Sequence, residues 1–372
     1  MGRCGIRSGS GRCAPRCANA WTRCTRGRRE LPRARGRVGA ACSTLGGCPS
    51  QPPPQRTTFD DDDVRYQEEE ETIEAERHPA SELVAQGEAA LAAGHPSDAM
   101  ALFERAIAES PNDPRAHLDL GLVLELGNDY EGAERSYRAA LAIDARFPEV
   151  LNNLGLLLRD LERAGEAVPL LRLAVEEKPA FGEAWLNLAM ALEESEDDAG
   201  AEEAYRRAVR LRPDDGVARA NFGLLFLRLG RNEQAAIELR RALPLARGDA
   251  AALQAIGNGL RRAGQPEPAV RAIRDAIEAH GQPTPALLGE LALAQRAAGD
   301  APGAIASLRE AVTLEPRYAT GHALLGSLLA ASGDYPAAIR AFEEALRLEP
   351  RGPLADRTRE QLEAARRAQR GR

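Results

Sequence analysis

Alanine returns along this chain at a fixed interval. Ala99, Ala133, Ala167, Ala201, Ala235 and Ala269 stand 34 residues apart, and Ala304 and Ala338 continue the series after one slip of a single residue. A second series, seven residues on, runs through Ala106, Ala140, Ala174, Ala208, Ala242, Ala276, Ala311 and Ala345. Self-similarity at this period marks a repeat array, in which no unit buries its apolar face alone and each stacks on its neighbours. This overrides the two or three globular domains that 372 residues would otherwise suggest. It also bounds function: such an array presents an extended surface to other proteins, and the period does not name the partner.

The unit that begins at Gly182 shows what each repeat is made of. Trp185, Leu188 and Leu192 follow helical spacing, and a polar turn occupies 195–198. Ala201, Tyr205, Ala208 and Leu211 then follow helical spacing again, and Pro213 stops the run. Both halves repeat at 3.6 rather than 2, so the unit reads as a helix–turn–helix, each helix about 20 Å long. Gly87, Gly121, Gly155, Ala189, Gly223, Gly257, Ala292 and Gly326 share one slot on the first helix, where a small side chain allows close approach. They are expected to face the alanines of the second helix. Between those alanines a bulky slot holds Phe103, Tyr137, Leu171, Tyr205, Leu239, Ile273, Leu308 and Phe342, which carry much of the burial.

Stop signals agree with this reading. Gly94, Gly230, Gly264, Gly299 and Gly333, with Asn128, stand where the first helix ends and a left-handed residue is favoured. Pro111, Pro179, Pro213, Pro316 and Pro350 close second helices, whereas repeats two, five and six carry Ala145, Arg247 and Gly281 instead. The slip follows repeat six, so a local change is expected near 281–285.

Trp185, Leu188, Ala189, Leu192, Ala201, Tyr205, Ala208 and Pro213 together resemble the tetratricopeptide repeat family: aromatic, Leu, small, large, Ala, aromatic, Ala, Pro. The resemblance implies an all-α fold, a right-handed superhelical solenoid of eight helix–turn–helix repeats plus a C-terminal capping helix. The repeats fall at 80–113, 114–147, 148–181, 182–215, 216–249, 250–284, 285–318 and 319–352, with the capping helix at 353–370. In the latter, Leu354, Thr358, Leu362 and Ala365 line one side and charged residues the rest, as the end of an open stack requires.

Residues 1–79 are different in kind and read as a disordered tail. The stretch 1–56 holds twelve arginines against Glu30, and 57–79 holds ten acidic residues against Arg65 and Arg77. Like-charge blocks with little apolar periodicity cannot build a core. All six cysteines lie here (Cys4, Cys13, Cys17, Cys24, Cys42, Cys48), with no Cys-x2-Cys pair and no nearby histidine, so no metal site is expected. Leu45-Gly-Gly-Cys48 has no apolar run before it, which argues against a lipoprotein signal, and the Gly- and Pro-rich tract is unlike an amphipathic targeting helix. One lysine, Lys178, against 48 arginines points to a GC-rich, bacterial coding sequence. Two readings of 1–60 stand: a true tail, or translated upstream sequence with an alternative start at Val64.

Function is sought on the first helices. Asp119, Asn153, Asn187 and Asn221 share a slot two residues before the small one in four consecutive repeats. The family resemblance implies that this slot faces the groove, where an asparagine ladder holds an extended peptide. A primary amide both donates and accepts, so it pairs with peptide N–H and C=O whatever the side chain; the bland reading is a solvated amide inherited by duplication. Asn152 beside the ladder, and Arg159, Glu193, Arg228 and Arg261 further along, would set charge preference. Leu156, Met190 and Leu224, three residues after the asparagines, either bind ligand side chains or pack. The lysine-based clamp that some family members use on carboxyl termini has no counterpart here, given Lys178 alone. Nucleic acid is not expected on the acidic folded part, nor a membrane span. Scattered histidines (His78, His95, His117, His280, His322) and the lack of a phosphate loop argue for no catalysis and no cofactor. His117 and His322 fall in the slot of Trp185 and are expected to pack. The expectation is a cytoplasmic adaptor for a protein or peptide partner. The alternatives are a periplasmic or envelope-associated assembly factor of the pilus type and, more remotely, the recognition subunit of a separate glycosyltransferase.

Overall fold

The computed structural model of the protein describes residues 79–371, which contain seventeen α-helices, one 3-10 turn and no strand. The expectations for the basic and acidic N-terminal stretches, their cysteines and Val64 lie outside the described residues. The helices pair as hairpins: α1 (Pro79–Ala92) with α2 (Pro96–Glu109), α3 (Pro114–Leu126) with α4 (Tyr130–Ile143), and α5 (Pro148–Asp160) with α6 (Ala164–Glu177). Then follow α7 (Gly182–Glu194) with α8 (Asp198–Leu211), α9 (Gly216–Arg228) with α10 (Asn232–Ala242), and α11 (Ala250–Arg262) with α12 (Pro266–His280). The last are α13 (Pro285–Ala297) with α14 (Ala301–Leu314), α15 (Ala319–Ala331) with α16 (Tyr335–Leu348), and the single α17 (Pro353–Arg370). They form two compact units, the first running to Leu157 and the second from Leu158 onward.

In the first unit Leu83, Val84, Ala99, Phe103, Ala106, Ala116 and Val123 make one apolar cluster. In the second, the cluster at its C-terminal end gathers Ala304, Leu308, Leu325, Leu328, Leu329, Ala338, Phe342, Leu362 and Ala365. The repeated alanines lie at the centre: Ala99, Ala106, Ala133, Ala140, Ala167, Ala174, Ala201 and Ala208 are fully buried. The small slot, however, faces the bulky side chain of its own hairpin rather than the alanines alone. A Cβ added at Gly87 or Gly121 would collide with the ring of Phe103 or Tyr137, and at Gly326 it would lie 2.6 Å from Phe342. At Gly223 it would meet Leu239 at 2.7 Å and at Gly257 Ile273 at 2.6 Å. The slot is small because a ring or branched chain fills the space where its side chain would go.

Local chemistry sets the helix ends. Asp113, Asp129, Asp197, Asp215, Asp249, Asp300 and Asp334 cap α3, α4, α8, α9, α11, α14 and α16, each carboxylate accepting a first-turn backbone N–H. Thr284 does the same for α13. The first helices close through a left-handed residue at Gly94, Asn128, Glu162, Glu196, Gly230, Gly264, Gly299 and Gly333. Glu162 and Glu196, with φ of 62° and 63°, occupy a conformation that glycine takes more cheaply. The expected irregularity after repeat six is present: α12 ends on Gly281 at φ 85° instead of a proline turn. Another falls in repeat five, where the second helix gives way to a 3-10 turn, Leu243–Leu245, around Pro244. Pro169 lies inside α6 on its exposed side, where the carbonyl it leaves unbonded can reach water.

His117 and His322 do more than pack. A ring nitrogen of each lies 3.2 and 3.0 Å from the carbonyl of Pro111 and Pro316. Trp185 Nε1 and Arg219 Nε donate to the carbonyls of Pro179 and Pro213, both at 2.9 Å. Where the turn lacks proline, at Ala145, Arg247 and Gly281, the residue six positions on is Leu151, Leu253 or Leu287. The slot thus holds a side-chain donor after four of the five proline turns, which satisfies a carbonyl that no helix bonds; after Pro350 the residue six on is Asp356, and Arg359 donates to that carbonyl instead.

Candidate binding face of the first helices

In the first unit the slot of interest holds Asp119 on α3 and Asn153 on α5. Asp119 is half-buried, and its carboxyl is pushed up to about 7. Burial is the main cause, Glu88 and Asp113 add to it, and Arg115 opposes it. Asn152 and Asn153 are buried, with Asn152 Nδ2 3.4 Å from Asn153 Oδ1. Leu156 is buried as well. Tyr137 of the bulky slot donates from its hydroxyl to Glu125 Oε2 at 3.0 Å, tying α4 to α3.

The second unit repeats that tie, with Tyr205 donating to Glu193 Oε2 at 2.9 Å between α8 and α7. The hydroxyl is buried among carboxylates, so its pKa lies well above 10. Glu193 also takes Arg228 Nε at 3.4 Å, and Arg228 reaches Asp198 at 2.6 Å. Arg159, with only 3% of its side chain exposed, pairs with Asp160 at 3.0 Å and Glu194 at 3.6 Å and touches Met190 Sδ at 3.3 Å. Burial raises Glu194 to about 7, with Asp160 and Glu193 adding and Arg159 opposing. Glu193 is raised for the same first reason. The charges expected to set preference at Arg159, Glu193 and Arg228 therefore answer one another within the protein.

The asparagines differ in exposure. Asn187 on α7 is 1% exposed, whereas Asn221 on α9 is half-buried and reaches the surface. Met190 and Leu224 are half-buried. Leu224 Cδ2 lies 3.3 Å from where a Cβ on Gly259 would sit, so it packs against α11 while part of it stays accessible. With the one-residue slip allowed, the same slot on α13 holds Glu290, a residue missed because the slot was followed only through the four consecutive repeats that carry Asp119 and the asparagines. Gln254 Nε2 on α11 donates to Glu290 Oε1 at 2.9 Å. The Tyr–Glu ties were also missed, although Tyr137 with Glu125 and Tyr205 with Glu193 stand at one common spacing in the sequence.

No group of three or more metal-ligating side chains gathers among the described residues, and no described helix is long and apolar enough to cross a membrane. A shallow apolar cleft of about 270 Å³ lies between the last hairpin and α17, lined by Ser327, Tyr335, Phe342 and Gln361 among others.

Models of the tetratricopeptide repeat family match residues 84–148, 152–216, 201–250 and 255–321, and another matches 319–351. No curated protein sequence matches the chain. Among solved structures, PilW, a widely conserved type IV pilus biogenesis factor, superposes with a TM-score of 0.51 at 18% identity, covering 57% of this chain and 96% of that one. YrrB, a TPR protein with an unusual peptide-binding site, gives 0.42 at 23% identity, covering 53% and 97%. MamA from Desulfovibrio magneticus RS-1 gives 0.42 at 22% identity, covering 46% and 96%. The likeness to PilW is one of fold.

Proposed function

The chain belongs to the tetratricopeptide repeat family, and on that premise we propose that it is a non-catalytic scaffold whose first-helix face takes an extended segment of a partner protein. The observation that carries this reading is Asn221, a surface-reaching amide on α9 with Leu224 one turn on, in the slot that Asn187 fills on α7. An amide there pairs with a peptide backbone irrespective of sequence, and the adjacent methyl groups take apolar side chains. Within this row Asn187, at 1% exposure, is covered, so the contact with the partner is assigned to Asn221.

Selection from a random-peptide display library on the full chain tests the reading. Peptides so selected should bind Asn221→Ala roughly tenfold more weakly, the effect of losing one paired amide, about 1.4 kcal/mol. The melting temperature of the variant should stay near that of the parent. Equal affinity for parent and variant removes the row from binding.

A further inference from the structure

Two charges named or reached on the first-helix face keep a buried atom without a hydrogen-bond partner, Arg261 Nε on α11 and Glu290 Oε2 on α13, and of the two Glu290 is the anion. The charges at Arg159, Asp160, Glu193, Glu194 and Arg228 are paired, among themselves and with Asp198 of α8. Glu290 is half-buried, held through Oε1 by Gln254, and its Oε2 is buried and accepts no hydrogen bond. No described arginine, lysine or histidine forms an ion pair with it. Its field is felt nearby: the Tyr318 phenol is raised above its usual 10, first by burial and then by the charges of Glu290 and Glu315. A carboxylate oxygen withdrawn from water without a donor is costly, and a cation supplies both the missing bond and the missing charge.

We propose that Glu290, held through Oε1 by Gln254, is a specificity site whose part-exposed side chain turns its covered Oε2 outward to receive a basic group, a lysine or arginine side chain, of the bound segment. The proposal rests on the peptide-binding reading above and refines it: the row reads backbone at Asn221 and charge at Glu290. A metal ion is a poor occupant, because a single carboxylate with an amide donor beside it offers too few ligands. A neutral donor would satisfy the oxygen but leave the charge unanswered.

The same random-peptide display library, selected in parallel on the full-length parent, Glu290→Gln, Glu290→Lys and Asn221→Ala, separates the two ideas. The parent should enrich peptides with lysine or arginine at one fixed position. Glu290→Gln should lose that enrichment while still selecting peptides, and should bind the parent's peptides roughly tenfold more weakly. Glu290→Lys should enrich aspartate or glutamate at the same position. Circular dichroism melts of the variants confirm that they fold. If the parent enriches peptides without a basic preference, or Glu290→Gln keeps that preference, the charge site is wrong and the backbone row stands. If the parent selects nothing, or Asn221→Ala selects the same peptides as the parent with the same affinity, the peptide-binding reading fails and this proposal with it.

Discussion

Single side chains on the first-helix face divide into those that hold the repeat together and those that meet the surface. Asn152, Asn153 and Asn187 are buried, Asn221 reaches out, and the arginine at 159 is locked between carboxylates. Asp119 occupies the same slot in the first unit as a half-buried carboxyl raised to about 7. Its sign follows from proton linkage. Between about pH 4 and pH 7 the folded state holds a proton that the unfolded chain releases, so this group lowers stability progressively as pH rises through that window. Asp119→Asn should therefore match the parent near pH 4 and exceed it above pH 7, by about 1–2 kcal/mol once solvent screening is allowed for. Urea denaturation at the two pH values measures this, and a parallel pH dependence of parent and variant would refute it.

At the level of the hairpin, three devices recur: a ring or branched chain seated in a small slot, an aspartate at the start of a helix, and a left-handed residue at the end of the first helix. The Tyr–Glu tie replaces plain packing in two hairpins, Tyr137 with Glu125 and Tyr205 with Glu193. The left-handed position is cheap at five glycines and strained at Glu162 and Glu196. Glu196→Gly should release about 1 kcal/mol of strain, partly offset by the greater freedom of glycine in the unfolded chain. A higher urea midpoint with an unchanged slope is the expected result; a lower midpoint would show that the turn carries no strain.

Across the molecule, stability is passed between nearest neighbours rather than drawn from one core. The second unit ends on α17, which buries Ala355, Thr358, Leu362 and Ala365 and turns Arg357, Arg359, Glu360 and Arg367 outward. Arg366 ties it to Glu343 of α16 at 2.9 Å. Truncation after Gly352 would bare the side of the last hairpin around Leu325, Leu329 and Phe342. Amide hydrogen exchange should then quicken in α15 and α16 and stay unchanged in α7 and α8. Equal loss of protection throughout would mean that the unit unfolds as one body instead of by neighbours.

The period of Ala99 and its successors, the helix pairs, the glycine stops and the slip near Gly281 were all legible in the residues, because a repeat writes the same contact many times and helical spacing is local. Only the folded packing decided the rest. It set the ring of Phe103 against Gly87, placed His117 and Trp185 over proline carbonyls, and withdrew Asn187 from the surface while leaving Asn221 upon it. It also left Glu290 without a cation where Glu193 has one. These depend on which neighbouring hairpin supplies a donor, a charge or a covering side chain, and that is a property of stacked helices rather than of any one segment.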